Sequence, residues 1–187
     1  PVISADNGSN ITINDVVTPV VSTSAATLVV NTTAILNGNL TTLGTCPATN
    51  EKGFVYSVTS TNNDPLAGGT GVTKIPVAGI TTGTYSQGLT SLAPNTGYSY
   101  KAYVYDGTSY TYGSVMAFTT LDVASKLALG IAPPSAGNVG VNLTTFTVQA
   151  QRPDNTVDAE FVGNITVAKA SGPGNISGTL TVAAVNG

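Results

Sequence analysis

Apolar residues along this chain come in short runs of four to eight, bounded by Gly, Pro, Asn or Asp. No stretch repeats with the 3.6-residue period of an amphipathic helix, so the pattern predicts strands. They are expected over 10–13, 16–21, 26–30, 34–40, 53–59, 72–77, 84–89, 97–105 and 110–120. Pro19 marks the second of these as an edge strand, because proline cannot donate to a ladder. Asp6-Asn7-Gly8 reads as a turn before the first, and Asp106-Gly107 as a tight turn into the last.

Residues 97–105 (GYSYKAYVY) are the clearest strand. Side chains alternate along a strand, so Tyr98, Tyr100, Ala102 and Val104 share one face. That face is assigned to the core. Ser99, Lys101, Tyr103 and Tyr105 share the other, and the lysine decides that this face meets water.

Near 121–125 the texture changes. All eight tyrosines lie between 56 and 112, and beyond them a second series of strands is expected over 126–131, 143–151, 157–162, 164–168 and 176–185. Pro133-Pro134 and Gly172-Pro173-Gly174 are loop signals. The domains read as 1–15, an N-terminal strand or the end of a preceding module; 16–121; and 122–187, which lacks its last strands. Pro1 reads as an internal or processed start.

Composition sharpens this picture. Thirty of the 187 residues are threonine, which suits a pleated, half-buried surface, and only 8% are charged. The fold class is therefore all-β, as two tandem β-sandwiches. With no histidine there is no Ser-His-Asp or Cys-His arrangement, and with one cysteine no zinc finger or internal disulfide. Six scattered cations make no nucleic-acid-binding face, and no apolar run approaches the ~20 residues of a membrane helix. Cys46 before Pro47 has no basic neighbour to activate it and reads as inert. A surface so poor in charge favours association over free solubility, and it suits an extracellular, secreted or cell-surface setting.

Residues 92–98, Leu-Ala-Pro-Asn-Thr-Gly-Tyr, resemble the L-x-P-x-T-x-Y corner of fibronectin type III domains, with Leu92, Pro94, Thr96 and Tyr98 as the corner. Further matching pieces are Ala34-Ile35-Leu36-Asn37-Gly38, Gly53-Phe54-Val55-Tyr56-Ser57, Gly83-Thr84-Tyr85-Ser86, Lys101-Ala102-Tyr103-Val104 and Phe118-Thr119-Thr120. Together they are similar to the fibronectin-like repeats of secreted Bacteroidetes proteins over about 16–121. The resemblance implies that the Tyr98 hydroxyl returns to nearby backbone. There is no Trp, so Leu28, Leu36 and Phe54 are expected to fill that core volume. Residues 125–187 resemble a bacterial immunoglobulin-like module through Lys126-Leu127-Ala128-Leu129, Phe146-Thr147-Val148-Gln149-Ala150 and Phe161-Val162-Gly163-Asn164-Ile165-Thr166.

Three groups of residues carry candidate chemistry. Tyr103, Tyr105 and Tyr110 would form an exposed aromatic platform on which sugar rings stack. The plainer reading is a cross-strand ladder that stabilises a hairpin by about 0.2–1 kcal/mol per pair. Asp154, Asp158 and Glu160 supply the oxygen ligands that calcium takes, without the spacing of an EF-hand; the plainer reading is a solvated loop and strand face. Asp158 and Glu160 also share a strand parity, but neighbours two apart on a sandwich strand rarely flank a glycosidase cleft. No catalytic residue and no cofactor other than calcium is expected.

The function read from these features is a non-catalytic structural or adhesive module of a bacterial surface stalk or filament. Its expected partners are further copies joined head to tail by strand donation, neighbouring modules of the same chain, or surface polysaccharide. The alternatives are a carbohydrate-binding accessory module or a spacer in a larger secreted enzyme.

Overall fold

The computed structural model describes residues 2–6, 10–14, 17–45, 49–135, 138, 140–171 and 175–187. Cys46 and Pro47, the Asn7-Gly8 part of the first predicted turn and the Gly172-Pro173-Gly174 loop lie outside them. Among the described residues every regular element is a strand, fourteen in all and every pair antiparallel. The chain divides into two compact units, Pro1–Leu121 and Asp122–Gly187.

The first unit opens with β1 (Val2–Asp6) and β2 (Asn10–Asn14), which pair with each other as a two-stranded sheet. The sequence pattern predicts β2 but not β1, whose Val2-Ile3-Ser4-Ala5 does not alternate. Two larger sheets follow. One contains β3 (Val20–Thr27), β4 (Ala34–Thr42) and β7 (Gly83–Leu89), in the order β3-β4-β7. The other contains β5 (Glu51–Val58), β6 (Thr73–Val77), β8 (Gly97–Tyr105), β9 (Tyr110–Tyr112) and β10 (Met116–Thr119). Its order is β10-β8-β5-β6, with β9 also on β8.

The core lies between the inner faces of these two sheets. Ala34, Leu36 and Leu40 reach it from β4, Phe54 from β5, Tyr85 and Leu89 from β7, and Tyr98, Tyr100, Ala102 and Val104 from β8. The β8 face assigned to the core by alternation is thus the face that packs there. Each fully buried Leu, Val or Phe contributes about 1.5–3 kcal/mol, so this layer holds the unit together. Gly38 sits in a close approach: a Cβ there would lie 3.0 Å from that of Ala102 in the facing sheet and 3.1 Å from the Tyr85 ring.

Several strand expectations change; those over 16–21 and 26–30 join as the one strand β3. The strand expected over 26–30 ends at Thr27, because Leu28 turns into the left-handed region (φ 48°). Leu28 is consequently 74% exposed and fills no core volume; Tyr100, fully buried, joins Leu36 and Phe54 there. The single strand expected over 110–120 is broken into β9 and β10. Gly113 lies in the break and donates to the Ala102 carbonyl at 2.9 Å, where a Cβ would come within 2.5 Å of the Thr23 backbone nitrogen.

The second unit is built of two hairpin-like pairs. β11 (Lys126–Ile131) pairs with β12 (Thr147–Gln151), and β13 (Asn164–Thr166) with β14 (Thr181–Ala183). The strand expected over 157–162 reduces to one bridge, Gln151 with Val157. Ala150 is the buried apolar side chain of this unit among the described residues, whereas Leu127 and Leu129 are each 56% exposed and Val185 82%.

Candidate functional site

Most chemistry-bearing side chains of the first unit gather on the outer face of the β5–β8 pair. The Asp106-Gly107 turn sets the register of β8 against β9, so Tyr105 faces Tyr110 and Tyr103 faces Tyr112. The Asp106 carboxylate fixes that turn by accepting from the Thr108 and Ser109 amides at 2.8 and 2.7 Å, which hold it below the usual carboxylate range. The tyrosine rings then pack on one another. Tyr110 stacks on Tyr105 at 4.5 Å and on Tyr112 at 5.8 Å, and meets Tyr103 edge-on at 5.5 Å.

Two cation–carboxylate pairs frame the row. Lys74 of β6 reaches Glu51 of β5 at 2.9 Å and lies 5.7 Å from the Tyr110 ring centre. Lys101 of β8 pairs with Asp64 and lies 5.6 Å from the Tyr112 ring centre. Tyr103 donates its hydroxyl to Glu51 at 2.6 Å. Tyr112 accepts from the Ala67 amide at 2.9 Å, and Tyr105 donates to the Gly107 carbonyl at 2.7 Å.

The electrostatics follow from these contacts. The Tyr103 hydrogen bond holds the Glu51 carboxyl below its ordinary range, aided by Lys74 and opposed by partial burial. Burial first, then the Glu51 charge, pushes the Tyr103 phenol far above the usual tyrosine value. Glu51 likewise raises Lys74. Near neutral pH these groups stand as a neutral phenol, a carboxylate and an ammonium, already bonded to one another. The set orients and tightens a sheet face, and supplies no free base or nucleophile.

The expected exposed platform of Tyr103, Tyr105 and Tyr110 is therefore changed in one member. Tyr103 has no solvent exposure, because β9 and the Glu51–Lys74 pair cover it. Lys101, taken as the mark of a wet face, is itself buried beside Asp64 and the Tyr112 ring. Tyr105, Tyr110 and Tyr112 are half-buried. Tyr112, Glu51, Lys74 and Asp64 were not singled out by sequence reasoning. The register implied by the Asp-Gly turn would have found Tyr112, since it pairs Tyr103 with the residue two beyond Tyr110.

The predicted corner is assembled as a unit. Leu92 and Tyr98 are buried, and the Tyr98 hydroxyl accepts from the Ala93 amide at 2.9 Å. Thr96 donates through its hydroxyl to the Pro94 carbonyl at 2.8 Å and through its amide to Thr120 Oγ1 at 3.0 Å. The Thr120 hydroxyl in turn donates to the Ala93 carbonyl at 2.7 Å, closing the loop onto the end of β10.

In the second unit the three acidic candidates part company. Asp158 and Glu160 both meet Arg152 Nη2, at 2.9 and 3.0 Å. Asp158 and Arg152 are buried, and Asp158 Oδ2 also accepts from the Ala124 amide at 2.8 Å. Arg152 further donates to the Asp122 carbonyl at 2.8 Å and to that of Val157. Asp154 instead accepts from the Thr156 hydroxyl and amide, at 2.6 and 3.0 Å, which lowers its carboxyl. Among the described residues no group of three metal-ligating side chains comes together. A guanidinium occupies the centre of the acidic cluster.

No protein family and no curated protein matches this chain. Solved structures do. The sensor domain of the anti-sigma factor RsgI4 of Pseudobacteroides cellulosolvens, in a short form, is 17% identical, with a TM-score of 0.43; the match covers 60% of this chain and all of that one. Its long form is 19% identical, with a TM-score of 0.44, over 58% of this chain and 95% of that one. A computationally redesigned β-sandwich protein is 20% identical, with a TM-score of 0.40, over 61% and 97%. This chain is an all-β protein, and its first unit is a β-sandwich of two facing sheets.

Proposed function

We propose that this chain is a non-catalytic structural or adhesive module of a bacterial cell-surface stalk or filament, with a fibronectin type III-like first unit and an immunoglobulin-like second one. The observation that carries the proposal is a contrast between the two units. The sheet edges of the first are guarded: β6 bears Lys74 and Pro76, and Pro19 precedes a β3 that carries two register shifts. Such devices discourage edge-to-edge pairing. The second unit leaves Leu127, Leu129, Ile131, Val182 and Val185 more than half exposed, and exposed apolar side chains in such number serve contact. Buried Lys101, Arg152 and Asp158 are taken up in ion pairs and buried Lys52 bonds to the Thr81 carbonyl, which supports a role in attachment over one in reaction. The closed corner around Tyr98 supports the fibronectin-like assignment of the first unit.

Gold-labelled antibody against the chain, applied to intact and to lysed producing cells, tests this reading. Label on intact cells along extended structures is expected. Label confined to lysed cells would overturn it.

A second reading, carbohydrate binding, draws on the half-exposed Tyr105, Tyr110 and Tyr112 beside Lys74. It predicts retention on a polysaccharide panel that is lost in Tyr105→Ala with Tyr110→Ala. The ring stacking speaks for the ladder instead, since Tyr110 stacks on both Tyr105 and Tyr112.

A further inference from the structure

The second unit contains an apolar cleft of about 620 Å³ between β12 and the β13–β14 pair. Phe146 and Val148 line it from one side, and Ile165, Leu180, Val182 and Val185 from the other; no charged residue takes part. One wall is the outer edge of β12, which the chain itself takes up at Ala150 and leaves open at Val148. The Ala150 amide bonds to the Gly187 carbonyl at 3.3 Å and its carbonyl accepts from the Asp158 amide at 2.9 Å, so both groups point away from β11. Hydrogen-bonding direction alternates along an antiparallel strand. Val148, two residues away and paired with Leu129, therefore turns its amide and carbonyl to the same outer side. Among the described residues no backbone partner takes them up.

A cleft with an open backbone edge and uncharged apolar walls fits an extended strand: main-chain bonds hold it and alternate side chains fill the space. The same chain carries a segment of that chemistry. β2 reads Asn10-Ile11-Thr12-Ile13-Asn14, uncharged and alternating. It belongs to a two-stranded sheet that, among the described residues, joins no other strand. An isolated two-stranded sheet is marginal in water, and so is a unit whose apolar side chains lie open; each supplies what the other lacks.

We propose that the cleft beside β12 is a strand-acceptor seat, and that its occupant is the N-terminal β1–β2 segment of a second copy of this chain. This rests on the surface-module reading above and names the contact by which such modules join. Seat and donor lie at different places on the chain, so the contact is head-to-tail and builds rows rather than closed pairs.

Complementation between two blocked variants tests it, read as mass by sedimentation velocity on the full chain. Val182→Lys blocks the seat at an exposed side chain. Val148→Pro blocks it a second way, removing an outward amide that β11 does not use. Ile11→Asp with Ile13→Asp blocks the donor. The unaltered chain should form species of two or more copies whose share rises with concentration. Each blocked variant alone should remain at the mass of one chain. A seat-blocked and a donor-blocked variant mixed in equal amounts should give a species of twice that mass and nothing larger. An unaltered chain that stays single at every concentration would overturn the seat, including the case in which the segment closes on its own chain. So would blocked variants that assemble as the unaltered chain does, or a mixture that stays single with both seat variants. Those outcomes leave the cell-surface labelling result standing, so the two readings fail separately.

Discussion

Tyr103 donates its hydroxyl to Glu51 at 2.6 Å from a position with no solvent exposure, and the same carboxylate oxygen accepts from the Lys74 ammonium at 2.9 Å. Strands β8, β5 and β6 are thereby joined by side chains across their outer face as well as by their ladders. Tyr103→Phe removes the donor and keeps the ring. It is expected to cost about 1–2 kcal/mol, the range for a hydrogen bond to a charged group that retains water access. Chemical denaturation of the full chain, followed by tyrosine fluorescence, measures it. A loss within a few tenths of a kcal/mol of zero would show that the contact is idle.

The same contact sets an acid limb. The Glu51 carboxyl lies below its ordinary value of 4.5 in the folded chain. Its contribution is thus present above that value and is lost as pH falls through the lowered one. Stability should decline on acidification below about pH 4.5, and the decline should be shallower in Glu51→Gln. Thermal melts across the acid range provide the comparison.

An alkaline limb follows with the opposite sign. Burial raises the phenols of Tyr103, Tyr85, Tyr100 and Tyr112 above the ordinary 10.0. Their contribution is complete below that value and is lost as pH rises through the raised ones. Spectroscopic titration of tyrosinate should show these four phenols ionising only as the chain unfolds. A single ordinary step for all would contradict the burial of the β8 faces.

The corner offers a separate check. Tyr98→Phe leaves the Ala93 amide without its acceptor, while the ring still stacks on Phe118 at 5.5 Å. The expected cost is about 0.5–1.5 kcal/mol, the net worth of a part-buried hydrogen bond whose amide can turn to water. Hydrogen exchange at Ala93 should quicken ahead of exchange at Ala102.

Arg152 in the second unit is the counterpart. It is buried and holds Asp158, Glu160 and two carbonyls. Arg152→Met strands the buried Asp158 carboxylate, and breaking a buried pair costs about 3–5 kcal/mol. With so little apolar burial to offset that loss, residues 122–187 should lose protection from hydrogen exchange while the β5–β8 amides keep theirs.

Strand alternation made the inner face of β8 legible, because one buried face imposes a strict two-residue period on Tyr98, Tyr100, Ala102 and Val104. It misled on the outer face, where Lys101 pointed to water. A lysine's long stem reaches a carboxylate from a covered position, so its presence does not expose a strand. The left-handed Leu28 was hidden because its cause is a backbone turn and not its own preference. Glu51 and Lys74 come from strands far from Tyr103 in sequence, and only the β5–β8 and β5–β6 registers bring them together. In the acidic run of 154–160, Asp158 and Glu160 share Arg152 as partner, which residue types alone do not show.

Negative-stain electron microscopy of the purified full chain at rising concentration tests most directly the claim that this protein works by joining copies. Rows of particles with a regular repeat, lengthening with concentration, are the predicted result. Fields of single particles of one chain's size at every concentration would contradict the account.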